Sequence, residues 1–415
     1  MTQQRPVVTV FTPSHRPRFL DDCFRSLRDQ TYTDWEWVVV LNAGARWRPP
    51  VNDARIRLVI ADELNGVGAV KQLACSIALG DYLVELDHDD LLSTDALEAV
   101  VAAFEANPDA GLVFSDTAHI TLEGTRDDSR FDERHGWEYY DTVVDGRNVL
   151  AAYSMEAYPH NVAYIWYAPN HVRAFRRSTY IAAGGYDPSL VVLDDQDLMA
   201  RLYLQADFVR IPRCLYLQRV HGQNTWTSEA HNAAIQRDTV ALYDKYALAL
   251  TTAWADRLGL PVLELKAPDQ PGMAATDSTQ ADAPADADDS AIDNTVGAIV
   301  ANDILPKIPD PIAFFNNAYR LLVHGGVLFT TTPSTDGRGA FEDPSYVSYF
   351  NENSFWYYTD VNYSRFVPEI QCRFQVARIG TYFPTEWHEQ NNISYVAANL
   401  IAIKDGPRQG GLANH

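Results

Sequence analysis

The chain has 415 residues, 47% of them hydrophobic and 21% charged, which suits a soluble protein with two domains and two separate cores. A formal net charge of −22 argues against a nucleic-acid partner, because phosphate contacts need clustered Lys and Arg. No apolar run reaches the length of a membrane span, no signal-peptide pattern follows Met1, and Cys23, Cys75, Cys214 and Cys372 lack metal-type spacing, so a reduced, cytoplasmic setting is expected.

Residues 6–12, Pro-Val-Val-Thr-Val-Phe-Thr, are a β-branched run that predicts a buried strand ending at Pro13. Ser14 and Pro17 then open a helix whose apolar positions Phe19, Leu20, Cys23, Phe24 and Leu27 share one face. Further strands are expected at 37–41 and 56–60, and a helix from about Val67 to Leu79. The next strand, from Tyr82 to Leu86, runs straight into Asp87-His88-Asp89-Asp90. This alternation predicts a mostly parallel, doubly wound α/β sheet, whose ligands bind at the carboxyl ends of the strands. Those ends carry Thr12-Pro13-Ser14-His15, Asn42-Ala43-Gly44, Asp62 and the acidic cluster. Carboxylates packed this closely raise one another's pKa unless a cation sits between them. The alternative is a solvated acidic turn before a helix that starts near Ser93 and Thr94.

Downstream, 112–116 predicts a strand ending at Asp116, and 136–167 is rich in aromatic residues. Aromatic faces stack on sugars, yet most of these side chains also fit an aromatic core. Trp166, Asn170 and His171 are the candidates for an acceptor pocket. Asp194 and Asp195 open the helix that contains Leu198, Met199, Leu202 and Tyr203, a placement that suits N-capping as well as chemistry. A strand at 215–217 leads to Arg219 and His221, and a helix from Thr227 to Leu250 follows.

The opening strand, Gln30-Thr31-Tyr32, Asn65-Gly66-Val67-Gly68, Leu86-Asp87-His88-Asp89-Asp90, Gly184-Gly185-Tyr186-Asp187 and Leu193-Asp194-Asp195-Gln196-Asp197-Leu198 together resemble family 2 glycosyltransferases of the GT-A fold. The resemblance covers roughly residues 5–250. It implies an inverting transfer from a nucleoside-diphosphate sugar, with a UDP-sugar favoured, to a hydroxyl acceptor that is a glycan, a small molecule or a protein. It implies Mn2+ or Mg2+ on Asp89, with Asp87 on the ribose or sharing the metal and His221 as a third ligand. His221 is otherwise an ordinary loop residue. Thr12, Pro13, Ser14 and His15 fall where the family's base-and-ribose loop lies. Asn42 stands where many members carry Asp against uracil. Asp62 is a second base contact or a plain polar strand end, and Lys71 is a diphosphate contact or a solvated helix-face lysine. Arg219 would neutralise the pyrophosphate. His88, in the middle of the acidic cluster, groups with the nucleotide contacts by position and has no assigned chemistry, while Asp90 serves the fold. Asp195 would be the general base, with Asp194 its neighbour in the acidic pair.

Residues 268–290 contain no Lys or Arg and read as a flexible acidic linker. Beyond it, a strand from Val296, a helix from Pro311 to Leu322 and a Gly325-Gly326 turn into a strand resemble the latter half of class I methyltransferases. That family holds S-adenosylmethionine on a Gly-rich turn after its first strand. The only candidate here, Val262-Leu263-Glu264-Leu265, is followed by Lys266-Ala267-Pro268-Asp269. A truncated domain without cofactor, structural or acceptor-docking, is therefore expected. The expected boundaries are 1–255, a linker at 256–295, and 296–415. A bifunctional glycosyl- and methyltransferase and a non-catalytic sugar-nucleotide-binding protein are the alternatives.

Overall fold

The structure is a computed structural model that describes residues 5–131, 136–164, 169–221, 229–266 and 292–406. The chain divides into two compact units, Met1–Leu250 and Thr251–His415. The division falls inside the long helix α7, Glu229–Arg257, a few residues before the expected boundary. Residues 256–266 also differ from a linker, because they hold the end of α7 and a strand of the second unit's sheet.

In the first unit, β1 (Val8–Ser14), β2 (Trp35–Leu41), β3 (Ile56–Ile60) and β4 (Tyr82–Glu85) are parallel, in the order β3-β2-β1-β4. Every residue of β1 and β2 is buried, as expected for β-branched strands covered on both faces. Helices α1 (Leu20–Arg28) and α2 (Val67–Ser76) connect them, and Leu20, Phe24, Trp37, Val84 and Phe104 belong to the core. Beyond β4 the sheet is mixed. It continues through β9 (Arg173–Arg176), β6 (Ala110–Ile120), β10 (Asp207–Arg219) and the short β5 (Leu91–Leu92). β9 is antiparallel to both β4 and β6, and the hairpin β7 (Tyr139–Val144) with β8 (Arg147–Ala152) extends from β6. The parallel run stops there because β9 enters from the opposite end. Helix α3 (Ala96–Ala106) follows β5, α4 (Pro159–Tyr164) precedes β9, and α5 (Arg177–Ala182) and α6 (Asp194–Tyr203) follow it.

In the second unit, β11 (Val262–Glu264), β12 (Val296–Asn302) and β13 (Leu322–Pro333) are parallel. β15 (Tyr395–Ala402) runs antiparallel between β13 and β14 (Phe374–Tyr382). Gly325 and Gly326, expected in a turn, lie inside β13 where its register against β12 shifts. The helix α8 (Pro311–Leu321) is capped by Asp310, and Phe315 packs its inner face against Tyr358. Among the described residues no helix is long and apolar enough to cross a membrane.

Candidate active site

The carboxyl ends of β1, β2 and β3 are tied to one another. The Asn42 amide donates to the Ser14 carbonyl (3.1 Å), and Asp62 accepts from the Gly44 amide (2.9 Å) while pairing with Arg46 (2.7 Å). Asp62 therefore holds the turn after β2. The Thr12 hydroxyl is buried and accepts from Trp37 Nε1 (2.9 Å). Pro13 and Ser14 are buried too, and Ser14 Oγ has no hydrogen-bond partner among the described residues. His15 is exposed, with its ring 5.1 Å from that of His88.

β4 stops at Glu85, so the acidic cluster occupies the loop between β4 and β5 and its carboxylates diverge. Asp90 turns inward, accepting from the Tyr216 hydroxyl (2.8 Å) and the Arg219 amide (2.7 Å). Burial, with Asp89 and Asp87 adding repulsion, raises its pKa well above the usual range. Asp89 Oδ2 lies 2.8 Å from His221 Nε2, both side chains being largely buried. Among the described residues no group of three or more His, Cys, Asp or Glu is placed to hold one ion. Burial first, and Glu85 second, push Asp87 up to about 7. Arg219 is 1% exposed, and its guanidinium donates to the carbonyls of Asp89 (2.8 Å), Thr121 (3.2 Å) and Leu122 (2.5 Å) and pairs with Asp22 (3.1 Å). A pyrophosphate contact would have to break those bonds, so Arg219 stands here as the clamp of the acidic loop.

Beneath the cluster runs a buried ion-pair chain. Lys71, on α2, is no solvated lysine: its Nζ lies 2.7 Å from Glu85 Oε1 and 3.2 Å from Asp194 Oδ2. Arg173, on β9, reaches Glu85 (3.8 Å) and Asp195 Oδ2 (3.0 Å). Burial opposes the charge on Lys71, but Asp194 and Glu85 outweigh it and raise its pKa. Burial also opposes the charge on Asp195, and Arg173 and Lys71 reverse that, holding it below the usual carboxylate range. Asp194 is pushed up to about 6, chiefly by burial. The two members of the pair therefore differ: Asp194 is buried against Lys71, whereas the Asp195 side chain is 30% exposed and ionised.

Both lie in the first turn of α6, where the helix dipole favours negative charge. The residue before them, Leu193, adopts a left-handed conformation (φ 60°), and Asp194 makes no capping hydrogen bond described for that end. Gly68 lets the 187–190 loop lie directly on α2. A Cβ there would fall 2.5 Å from the Asp187 carbonyl oxygen and 3.4 Å from Asp194 Cβ.

On the other flank, Trp166 lies outside the described residues. The His171 amide donates to Asn170 Oδ1 (2.9 Å), and the His171 carbonyl accepts from Ser115 Oγ (3.1 Å) and from Thr117 Oγ1. Burial, followed by Arg173, lowers the His171 pKa well below the ordinary value. Several of the aromatic residues are core, as Tyr164 stacked on Tyr243 at 4.4 Å illustrates. Asp116 is buried in a bidentate pair with Arg210 (2.8 Å). Glu85 and Arg173 escaped the sequence reading. Their signal was a charge at the end of each of two short apolar strands, which calls for a partner once it is buried.

Residues 9–158 match the family described as Glycosyl transferase family 2. The chain is 34% identical over 140 residues to the uncharacterized protein y4gI of Sinorhizobium fredii, covering 31% of this chain and 15% of that protein. It is 24% identical over 228 residues to the chondroitin synthase of Escherichia coli, covering 53% of this chain and 30% of the synthase. It therefore spans less than a third of either relative. The structure of S. aureus TarS 1-349 in complex with UDP-GlcNAc is 13% identical, with a TM-score of 0.43 over 60% of this chain and 71% of that one.

Proposed function

We propose that the chain, which carries a glycosyl transferase family 2 domain over residues 9–158, is an inverting, metal-dependent GT-A glycosyltransferase acting on a nucleoside-diphosphate sugar, with UDP favoured. One observation carries this reading: a partly exposed Asp195, paired with Arg173, and the Asp89–His221 pair flank one buried ion-pair chain. Asp195 takes the proton of the acceptor hydroxyl as the oxygen attacks the anomeric carbon. The bond from that carbon to the phosphate oxygen breaks, and the nucleoside diphosphate leaves with the electron pair. Attack from the face opposite the leaving group inverts the anomeric centre.

The donor set fits a divalent cation in part. A carboxylate and an imidazole converge at 2.8 Å beside a loop crowded with anionic groups, and a nucleotide's phosphates would complete the shell. Asp89 and His221 would hold the ion, with Asp87 facing the ribose or sharing it. A cation bound there supplies positive charge to the departing diphosphate. Asp89→Ala is expected to lower donor turnover by at least about 100-fold, since even outer-shell changes at metal sites cost 10- to 100-fold. EDTA should abolish turnover in the wild type, and added Mn2+ should restore it. Full activity of Asp89→Ala in EDTA would remove the metal from the reading.

The same reading takes the second unit as a truncated methyltransferase-like domain that serves structure or acceptor docking. Its candidate first strand, β11, is three residues long, sits at the sheet edge and is followed by no glycine cluster in the sequence. Titration calorimetry with S-adenosylmethionine should give no saturable heat. Micromolar binding would favour a bifunctional enzyme instead.

A further inference from the structure

Arg173 connects three pieces of the first unit. Its Nε donates to the Pro169 carbonyl (3.0 Å), its Nη1 donates to Asp195 Oδ2 (3.0 Å), and the same nitrogen lies 3.8 Å from Glu85 Oε2. The side chain is nearly buried, so the fork cannot swing into water. Asp195 Oδ1 accepts from the Gln196 amide (2.9 Å) at the start of α6, so both carboxylate oxygens are tethered while the group stays partly open to solvent. A planar guanidinium fixes two acceptors relative to each other, which a lysine ammonium does not.

From this geometry we infer that Arg173 is a positioning residue: it locks the Asp195 carboxylate in a fixed orientation against the segment that holds Pro169. The role rests on the glycosyl-transfer reading of Asp195. It differs from a merely structural ion pair, because the guanidinium faces the one acidic side chain of the buried chain that also meets solvent. The other charged or titratable groups facing Asp195 are Lys71 from α2, Glu85 from β4, His171 beside β9, and Asp194 from its own helix. Lys71 is the only other cation among these, and it is committed to Glu85 and Asp194 at 2.7 and 3.2 Å. Removing Arg173 therefore leaves Lys71, shared with Glu85 and Asp194, as the one cation facing Asp195 against burial, Glu85 and Asp194, which favour the protonated acid.

The test compares wild type, Arg173→Met and Arg173→Lys, each shown by circular dichroism to be folded. The Asp195 carboxyl is titrated by 13C NMR on protein labelled at the aspartate carboxyls and assigned by the signal lost in Asp195→Asn. Donor turnover is followed against pH with UDP-glucose, UDP-N-acetylglucosamine and GDP-mannose. In Arg173→Met the carboxyl should titrate at least about one pH unit higher, the scale of an Asp–Arg contact, and the acid limb of the rate profile should move up with it. Arg173→Lys should restore most of the titration shift but little of the rate, because it restores charge without the fork. An unmoved carboxyl in Arg173→Met overturns the inference, as does a rate loss with an unmoved acid limb. If Arg173→Met does not fold, Arg173→Lys decides: wild-type turnover in that variant overturns it. A shifted carboxyl in a protein that turns over none of the donors, wild type included, would uphold the Arg173 lock on Asp195 and remove the transferase reading.

Discussion

Replacing Asp195 with Asn should slow glycosyl transfer by about 10²- to 10⁴-fold, the range for loss of a general base, while donor binding stays near wild type. Asn keeps the size of the side chain and accepts a hydrogen bond, yet it cannot take the acceptor proton. The change is nearly isosteric, but Arg173 Nη1 (3.0 Å) and the Gln196 amide (2.9 Å) bond different carboxylate oxygens, so the single amide oxygen of Asn keeps one of these two bonds. A proton-transfer defect would appear in turnover at saturating donor, whereas a collapsed site would also lose donor affinity. Steady-state kinetics beside a nucleotide titration separates the two. The effect of Asp194→Asn should be smaller, because Asp194 faces Lys71 at 3.2 Å rather than the open side of the site. Equal activity of wild type and Asp195→Asn would remove Asp195 from the base role.

Lys71→Met should destabilise the first unit by about 3–5 kcal/mol, the usual cost of removing one partner of a buried ion pair. Lys71 is 8% exposed, and its two carboxylate partners are 1% and 6% exposed. Methionine fills the volume but leaves Glu85 and Asp194 without their shared cation, and Arg173 stands 3.8 Å from Glu85 and cannot serve both. The remaining carboxylates must then take up protons to stay buried. The loss should consequently be largest at and above neutral pH and shrink as the pH falls towards about 6, the value Asp194 has with Lys71 in place, because without Lys71 the carboxyl takes up its proton at a higher pH. Urea unfolding at pH 5 and pH 8 measures this. Adding Glu85→Gln and Asp194→Asn to Lys71→Met should recover much of the stability, because the uncompensated charges go with the cation. A Lys71→Met protein as stable as wild type at pH 8 would show that the chain of ion pairs does not hold this part of the fold.

How much of this was legible beforehand differs from residue to residue. The strands at 8–14, 35–41 and 56–60 follow from apolar, β-branched runs; the first lies two residues later than expected, the second starts two residues earlier, and the third has the expected bounds. The antiparallel β9 was not legible as such. A four-residue strand carries no mark of its direction, which is set by where the segment before it re-enters the sheet. The Gly325-Gly326 pair was misread as a turn because glycine serves a strand irregularity as well as a turn, and only the shifted pairing with β12 distinguishes them.

At the site, sequence alone determined which residue types gather at the strand ends, because the alternation of strand and helix dictates that edge and the acidic loops fall on it. It also placed Asp194 and Asp195 at a helix start, where backbone dipole and spacing are local properties. Only the tertiary structure decided which of those groups are spent and which are available. Asp90 is consumed by Tyr216, 126 positions away, Arg219 by backbone carbonyls and Asp22, and Asp62 by Arg46 and Gly44. Glu85 and Arg173, in turn, gained their meaning only from each other, Lys71 and Asp195. The physical reason is that a charge in low dielectric takes its value from partners within a few ångströms, and those partners come from strands and helices far apart in the chain. Local pattern fixes where a carboxylate stands; burial and its long-range counterion fix its protonation and what remains free to react.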